Sequence, residues 1–356
     1  MTHFSNRRNF LRTSLLGGLA MATAPRWASL AQAADEPGAP KPTSRVALFH
    51  GDDRADIAFR ALEVHAAEVR RAIGSRRVVI KPNNVAIDNQ LSATHAGCLE
   101  GILEFLKSIG KLRNTVIAES AANGPTLDGF ANYHYTDLAK KYSVKLIDLD
   151  GQAVERVQVF DEKDFRPHAV RMAKLLLDRN TFVISAAKLK THDQIVATLS
   201  LKNIILGAPV KDPGFGWGNG AKAGAKSDKP IVHGNGFRGL NYNLFDLSRR
   251  LHPDLAVIDG YDGMEGNGPT GGTLVEHRVC VVSPDWLAAD RVAVELMGID
   301  FAKVGYLNYC AQAGLGEADL RKMEILGAPI APHVRRYRLA DNIEQQLVWM
   351  NPPKPI

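Results

Sequence analysis

The sequence predicts an α/β fold: a mostly parallel sheet with helices on both faces, arranged as one large domain or two closely packed α/β lobes. Three observations carry this. Short apolar runs such as RVVIK, TFVISAA and DLAVIDG alternate with amphipathic stretches at helical spacing. The runs are continuously apolar, as strands covered on both faces are. The chain has 356 residues, 45% of them hydrophobic, which is enough for a substantial core.

The elements follow in order. SRVALFH (44–50) reads as a strand, 59–73 as an amphipathic helix and RVVIK (77–81) as a second strand. Thr94 is placed to cap a helix whose apolar stripe is Leu99, Ile102, Leu103 and Leu106, ended by Gly110. NTVIAES is a strand, 127–141 a helix and VKLIDLD a strand; TFVISAA (181–187) and DLAVIDG (254–260) are further short strands. Residues 197–207 read as a helix or turn after TFVISAA. HRVCVVS precedes a helix for which Ser283 is a natural N-cap and Pro284 a natural first residue. KMEILG (322–327) is the last strand. The α/β domain thus spans 44–330, and 331–356 form a C-terminal extension.

Ahead of the domain, 1–33 read as a twin-arginine export signal. NRRNFLR supplies Arg7 and Arg8, the apolar run 13–24 is too short to span a bilayer, and Ala31–Ala33 offers a small-x-small cleavage site. A Pro-rich linker, 34–43, follows. The expected location is the periplasm, with the export machinery as a partner and no stable membrane span. The net charge is +6, but Arg7, Arg8, Arg12 and Arg26 supply four of those charges, leaving +2 for the remainder. A surplus this small argues against nucleic acid as a partner. Cys98, Cys280 and Cys310 are scattered and lie in apolar segments, so they read as small buried hydrophobes. They cannot make an iron–sulfur cluster from this chain alone.

Open α/β sheets bind ligands outside the carboxyl ends of their strands. RVVIK ends on Lys81 and runs into Asn83, NTVIAES ends on Glu119, and TFVISAA runs into Lys188, Lys190 and His192, with Lys202 and Asn203 soon after. Ammonium groups in a half-dry crevice suit a small anion, a carboxylate or a phosphate. Lys81, Asn83, Lys188, Lys190, Lys202 and Asn203 are therefore the expected binding residues, and Glu119, His192 and Glu265 the expected acids and bases. Asp259, Asp262 and Glu265 fall at three-residue spacing in a Gly-rich run, which fits a divalent cation and equally fits acidic turns that hold nothing. Asp290 lies in the apolar stripe of its helix and needs a partner there, either a neighbouring backbone or the site. The segment 208–239, with eight glycines and four lysines, reads as a lid. Its GAKAGAKS lacks the strand and helix that a phosphate loop needs. The same crevice would serve an enzyme or a non-catalytic periplasmic binder of an anion or metal.

IKPNN, AES, SAAKLKTH with TLSLKN, IDG with GMEGNGPTGG, and SPD with AADRVAVELMG occur in this order, and the chain resembles the family of domain of unknown function 362 over 45–327. The resemblance implies motif roles for Lys81, Asn83, Glu119, Lys188, Lys190, His192, Lys202, Asn203, Asp259, Glu265 and Asp290. Some relatives carry ferredoxin-type cysteine clusters, which this sequence lacks.

Overall fold

In the computed structural model, which describes residues 43–216 and 222–351, eleven strands form a nine-stranded mixed sheet and a separate hairpin. They are β1 (Ser44–His50), β2 (Arg77–Lys81), β3 (Thr115–Glu119), β4 (Lys145–Asp148), β5 (Val154–Phe160), β6 (Pro167–Ala173), β7 (Thr181–His192), β8 (Val196–Thr198), β9 (Leu255–Asn267), β10 (Gly271–Ser283) and β11 (Met323–Gly327). The main sheet runs β11-β1-β10-β9-β7-β2-β3-β4, with β8 beside β7. The stretch from β9 to β4 is parallel; β10 is antiparallel to both its neighbours, and β8 is antiparallel to β7. The expected α/β architecture is therefore present, with helices on both faces.

Alternate residues of the same strands feed two cores. Val46, Leu48, Val79, Ala187 and Leu189 pack under helices Ser200–Gly207, Phe237–Ser248, Trp286–Leu296 and Gly305–Gln312. Ala47, Val78, Ile80, Phe182 and Ile184 pack under helices Arg54–Glu63, Ala66–Ile73, Ala96–Ser108 and Tyr135–Tyr142. The three cysteines are buried and unpaired, two in the second core and Cys310 in the first.

Several local expectations change. The helix expected over 59–73 breaks at Val64, which lets His65 turn inward. That over 127–141 breaks where His134 takes a left-handed φ of 60°. Thr94 does not cap its helix; His95 does, accepting from the Gly97 N–H at 2.9 Å, while Thr94 Oγ1 accepts from Asn83 N at 2.8 Å and donates to the Ala186 carbonyl at 2.6 Å. Asp285, rather than Ser283, caps the helix Trp286–Leu296. β7 and β9 run on through KLKTH and YDGMEGN, so these polar stretches are strand, not loop. The hairpin β5–β6 was not expected from the sequence, because VERVQVF and PHAVRMA interleave polar and charged residues with apolar ones and lack the continuous apolar run of the other strands.

β2 is the point where the winding reverses. β3 and β4 add on one side of it, and β7 and β9 on the other. Connections leaving β2 and its neighbours diverge there, which opens a crevice at their carboxyl ends. The expected export signal, 1–33, and most of the expected linker lie outside the described residues. Among the described residues no helix is long and apolar enough to cross a membrane.

Candidate functional site

The crevice is a cavity of about 750 Å³. β2 contributes Lys81 and the following Asn83 and Asn84, β3 contributes Glu119, and the turn after β7 contributes His192, Asp193 and Gln194. The helix Ser200–Gly207 folds back over β7 and brings Lys202, Asn203 and Gly207. The wall opposite is Lys229 to Phe237, the last part of the Gly/Lys-rich segment, whose middle lies outside the described residues.

One end of the cavity is a closed polar network. Lys81 Nζ donates to Glu119 at 2.9 Å, Asn203 Oδ1 at 3.0 Å and the Pro82 carbonyl at 2.7 Å. The Glu119 carboxylate also accepts from Asn84 N at 3.0 Å and Ser120 N at 2.8 Å. Burial lowers the Lys81 pKa and the adjacent Glu119 charge opposes that shift. With its lone pairs taken up, Glu119 is an anchor for Lys81 and not a free base. The helix approaches so closely that a Cβ on Gly207 would sit 1.8 Å from Lys81 Cε; only glycine leaves room.

The rest of the cavity has polar atoms to spare. Asn83 Oδ1, Asn84 Nδ2 and Thr198 Oγ1 are buried and find no hydrogen-bond partner among the described residues. Lys202 is 5% exposed and makes no hydrogen bond or ion pair among the described residues. Burial lowers its pKa to about 7, opposed by Asp193 and reinforced by Lys81. Its place in the first turn of a helix, at the positive end of the helix dipole, acts in the same direction. Lys229 donates to the carbonyls of Leu206, Gly207 and Pro209, the last at 2.8 Å, and burial brings its pKa to about 7 as well.

The two histidines of the cavity are neutral and hold opposite tautomers. His192 Nδ1 accepts from the Gln194 backbone N–H at 3.0 Å, so Nε2 carries its proton. His233 Nδ1 donates to the Lys229 carbonyl at 3.0 Å, so its Nε2 is the free acceptor. Burial depresses both, His233 to about 4 and His192 well below the usual imidazole range. The 3.1 Å approach of Asp193 Oδ1 to His192 Nδ1 is not an ion pair, because that nitrogen is already an acceptor on a neutral ring. Burial raises the Asp193 pKa.

Of the residues expected from the sequence, Lys81, Asn83, Glu119, His192, Lys202 and Asn203 meet in this cavity. Lys188, Lys190, Asp259, Asp262, Glu265 and Asp290 do not line it. Asp259 lies between Arg54 Nε at 3.4 Å and Lys188 Nζ at 3.8 Å, and accepts from His95 N and Tyr261 N, both at 3.2 Å. Burial alone would raise its pKa, but Lys188 and Arg54 hold it below the usual carboxylate range. Asp262 bonds the same Arg54, whereas Glu265 accepts from Arg338 N at 2.9 Å and Thr273 Oγ1 at 3.4 Å. The expected cation trio of Asp259, Asp262 and Glu265 is therefore not assembled: two of its carboxylates are engaged by a guanidinium and the third turns to the C-terminal segment. Among the described residues only Asp161, Asp164 and His168 bring three such groups together, on the β5–β6 hairpin.

Lys190 donates to the Ser92 carbonyl at 2.7 Å and the Pro269 carbonyl at 3.3 Å, behind the cavity wall. Asp290 accepts from Ser200 N at 2.8 Å and Leu201 N at 3.1 Å, so it caps the helix that carries Lys202. Its partner is a backbone, the plainer of the two readings of that buried acid. The sequence reading missed Asn84, Asp193, Thr198, Lys229 and His233. Lys229 and His233 stand four apart in a segment read only as a lid, and that spacing was the available signal.

A family model described as a domain of unknown function (DUF362) matches residues 78–295, more than half of the chain. The matched span holds β2, β3, β7 and both walls of the cavity. A thylakoid-associated protein of Synechocystis sp. is 24% identical over 242 residues, covering 67% of this chain and 68% of that protein.

Proposed function

We propose that this chain, which belongs to the family of domain of unknown function 362, binds a small anionic molecule, a carboxylate or a phosphate, in the cavity beside Lys202 and acts on it by proton transfer. The single observation that carries this is the partnerless Lys202 ammonium among unsatisfied polar atoms of Asn83, Asn84 and Thr198. Burying a cation costs free energy, the Asp193 charge offsets that cost only in part, and a bound anion offsets more of it. His233 Nε2, an acceptor, is the group for taking and returning a proton, and His192 Nε2–H is a hydrogen-bond donor to the ligand.

The test is a thermal-unfolding screen of the purified protein against inorganic phosphate and small mono- and dicarboxylates. A ligand at a hundred times its Kd stabilises by about 2.7 kcal/mol, which is readily measured. At least one anion raises Tm in the wild type, and Lys202→Met abolishes the rise. An unchanged rise in Lys202→Met sinks the assignment. Ligand binding without turnover would favour the non-catalytic binder, for which the same cavity serves. We place the activity in the periplasm on the strength of Arg7, Arg8 and the run 13–24. Cell fractionation of an Arg7→Lys/Arg8→Lys double variant, which should remain in the cytoplasm, checks that placement.

A further inference from the structure

Lys202 has features that a lysine merely neutralising an anion does not need. It is almost wholly buried, its nitrogen is tied to nothing, and it lines a cavity of about 750 Å³. The other lysines there are spoken for: Lys81 by Glu119 and Asn203, Lys229 by three carbonyls. An unanchored amine in a dry pocket is the arrangement that makes lysine a nucleophile toward carbonyl groups. With its pKa near 7, Lys202 is about half in the free-amine form at neutral pH.

Its surroundings supply the proton traffic. His192, Asp193 and His233 line the same cavity as Lys202. His233 Nε2 is an acceptor and His192 Nε2–H a donor. We propose that Lys202 forms an imine with the carbonyl carbon of a small 2-oxo acid, so that the ligand of this cavity is an anion bearing an adjacent ketone or aldehyde. This rests on the anion-binding reading above.

The step balances without an oxidant or reductant. The Lys202 amine lone pair bonds to the carbonyl carbon while the C=O π pair moves to oxygen, to which His192 Nε2–H donates a hydrogen bond. The new ammonium gives a proton to His233 Nε2, and the imidazolium so formed passes it to that oxygen, giving a carbinolamine and a neutral His233. The hydroxyl takes a second proton, from solvent, and leaves as water as the nitrogen lone pair closes the C=N bond. The net change is amine, carbonyl and one proton to iminium and water. The iminium keeps a positive charge beside the carboxylate, and Asn83 Oδ1, Asn84 Nδ2 and Thr198 Oγ1 are available to the departing water and the carboxylate.

The experiment incubates the full chain separately with glyoxylate, pyruvate and 2-oxoglutarate, adds sodium borohydride, and reads intact mass and the labelled peptide. At least one acid adds a single reduced adduct, on Lys202. Lys202→Arg keeps the charge but cannot form the imine, and it loses the adduct. No adduct with any of the three acids, label spread over exposed lysines, or an adduct surviving in Lys202→Arg overturns the imine. The unreduced acids' effect on wild-type Tm separates the two readings. A rise without an adduct removes only the imine, whereas no rise with these acids or with the wider anion screen removes the anion site as well. Circular dichroism of Lys202→Arg and of a second variant, Lys202→Met, confirms that loss of the adduct is not loss of the fold.

Discussion

Two groups of buried charge lie on either side of β7, and they differ in whether their charges are answered. In the first, Arg54, Lys188, Asp259 and Asp262 set two cations against two carboxylates, and the remaining Asp259 lone pairs accept from backbone N–H groups. In the second, around the cavity, Lys202 and several side-chain amide and hydroxyl atoms stand without partners. A closed cluster holds elements together; an open one is a place for something else. Lys188 and Lys202 are the same residue type fourteen positions apart, and only the partners the fold gives them separate a tie from a site.

Three experiments act on this contrast, in falling order of effect. Asp259→Ala leaves Lys188 buried without an anion and Arg54 with Asp262 alone, and should cost about 3–5 kcal/mol, read by urea unfolding. Where enough folded protein remains, the anion response should persist; its loss would mean that the two clusters are one site. Gly207→Ala drives a methyl into Lys81 and should cost about 1–3 kcal/mol by overpacking, with weakened anion binding because Lys81 and Asn203 shift together. Wild-type stability in that variant would show that Lys81 is mobile, contrary to its three hydrogen bonds.

The smallest effect is on pH dependence. Lys202 and Lys229 titrate near 7 when folded and near 10.5 in the unfolded chain, so between those values the unfolded state binds more protons. Stability therefore rises with pH across that window as far as these two groups are concerned. Lys202→Met should flatten the rise by up to about 1.4 kcal/mol per pH unit, the value for one proton, in unfolding curves from neutral to alkaline pH. An unaltered slope would mean that Lys202 is exposed and ordinary.

Lys81, Asn83, Glu119 and His192 meet in the cavity because each sits at or near the carboxyl end of an apolar run, a position visible in RVVIK, NTVIAES and TFVISAA, whereas Lys202 and Asn203 arrive on the helix that follows. The metal reading of Asp259, Asp262 and Glu265 fails for a reason the local sequence hides. Arg54, 205 positions before Asp259, arrives at the head of another helix and takes two of the three. Lys190 shows the same limit: its ammonium is taken up by the carbonyls of Ser92 and Pro269, residues 98 and 79 positions away, and it does not line the cavity.

The sequence by itself determined the fold class, most of the strands of the main sheet and the end of the sheet where polar groups gather, but not β8, which lies where a helix or turn was expected. Apolar periodicity is a local property, and the carboxyl-end rule follows from parallel winding. Which lysines are satisfied, which histidine nitrogen carries the proton and which carboxylates meet depended on residues far apart in the chain. Only the tertiary structure decided them, because hydrogen bonds and ion pairs act over a few ångströms that the order of residues does not specify.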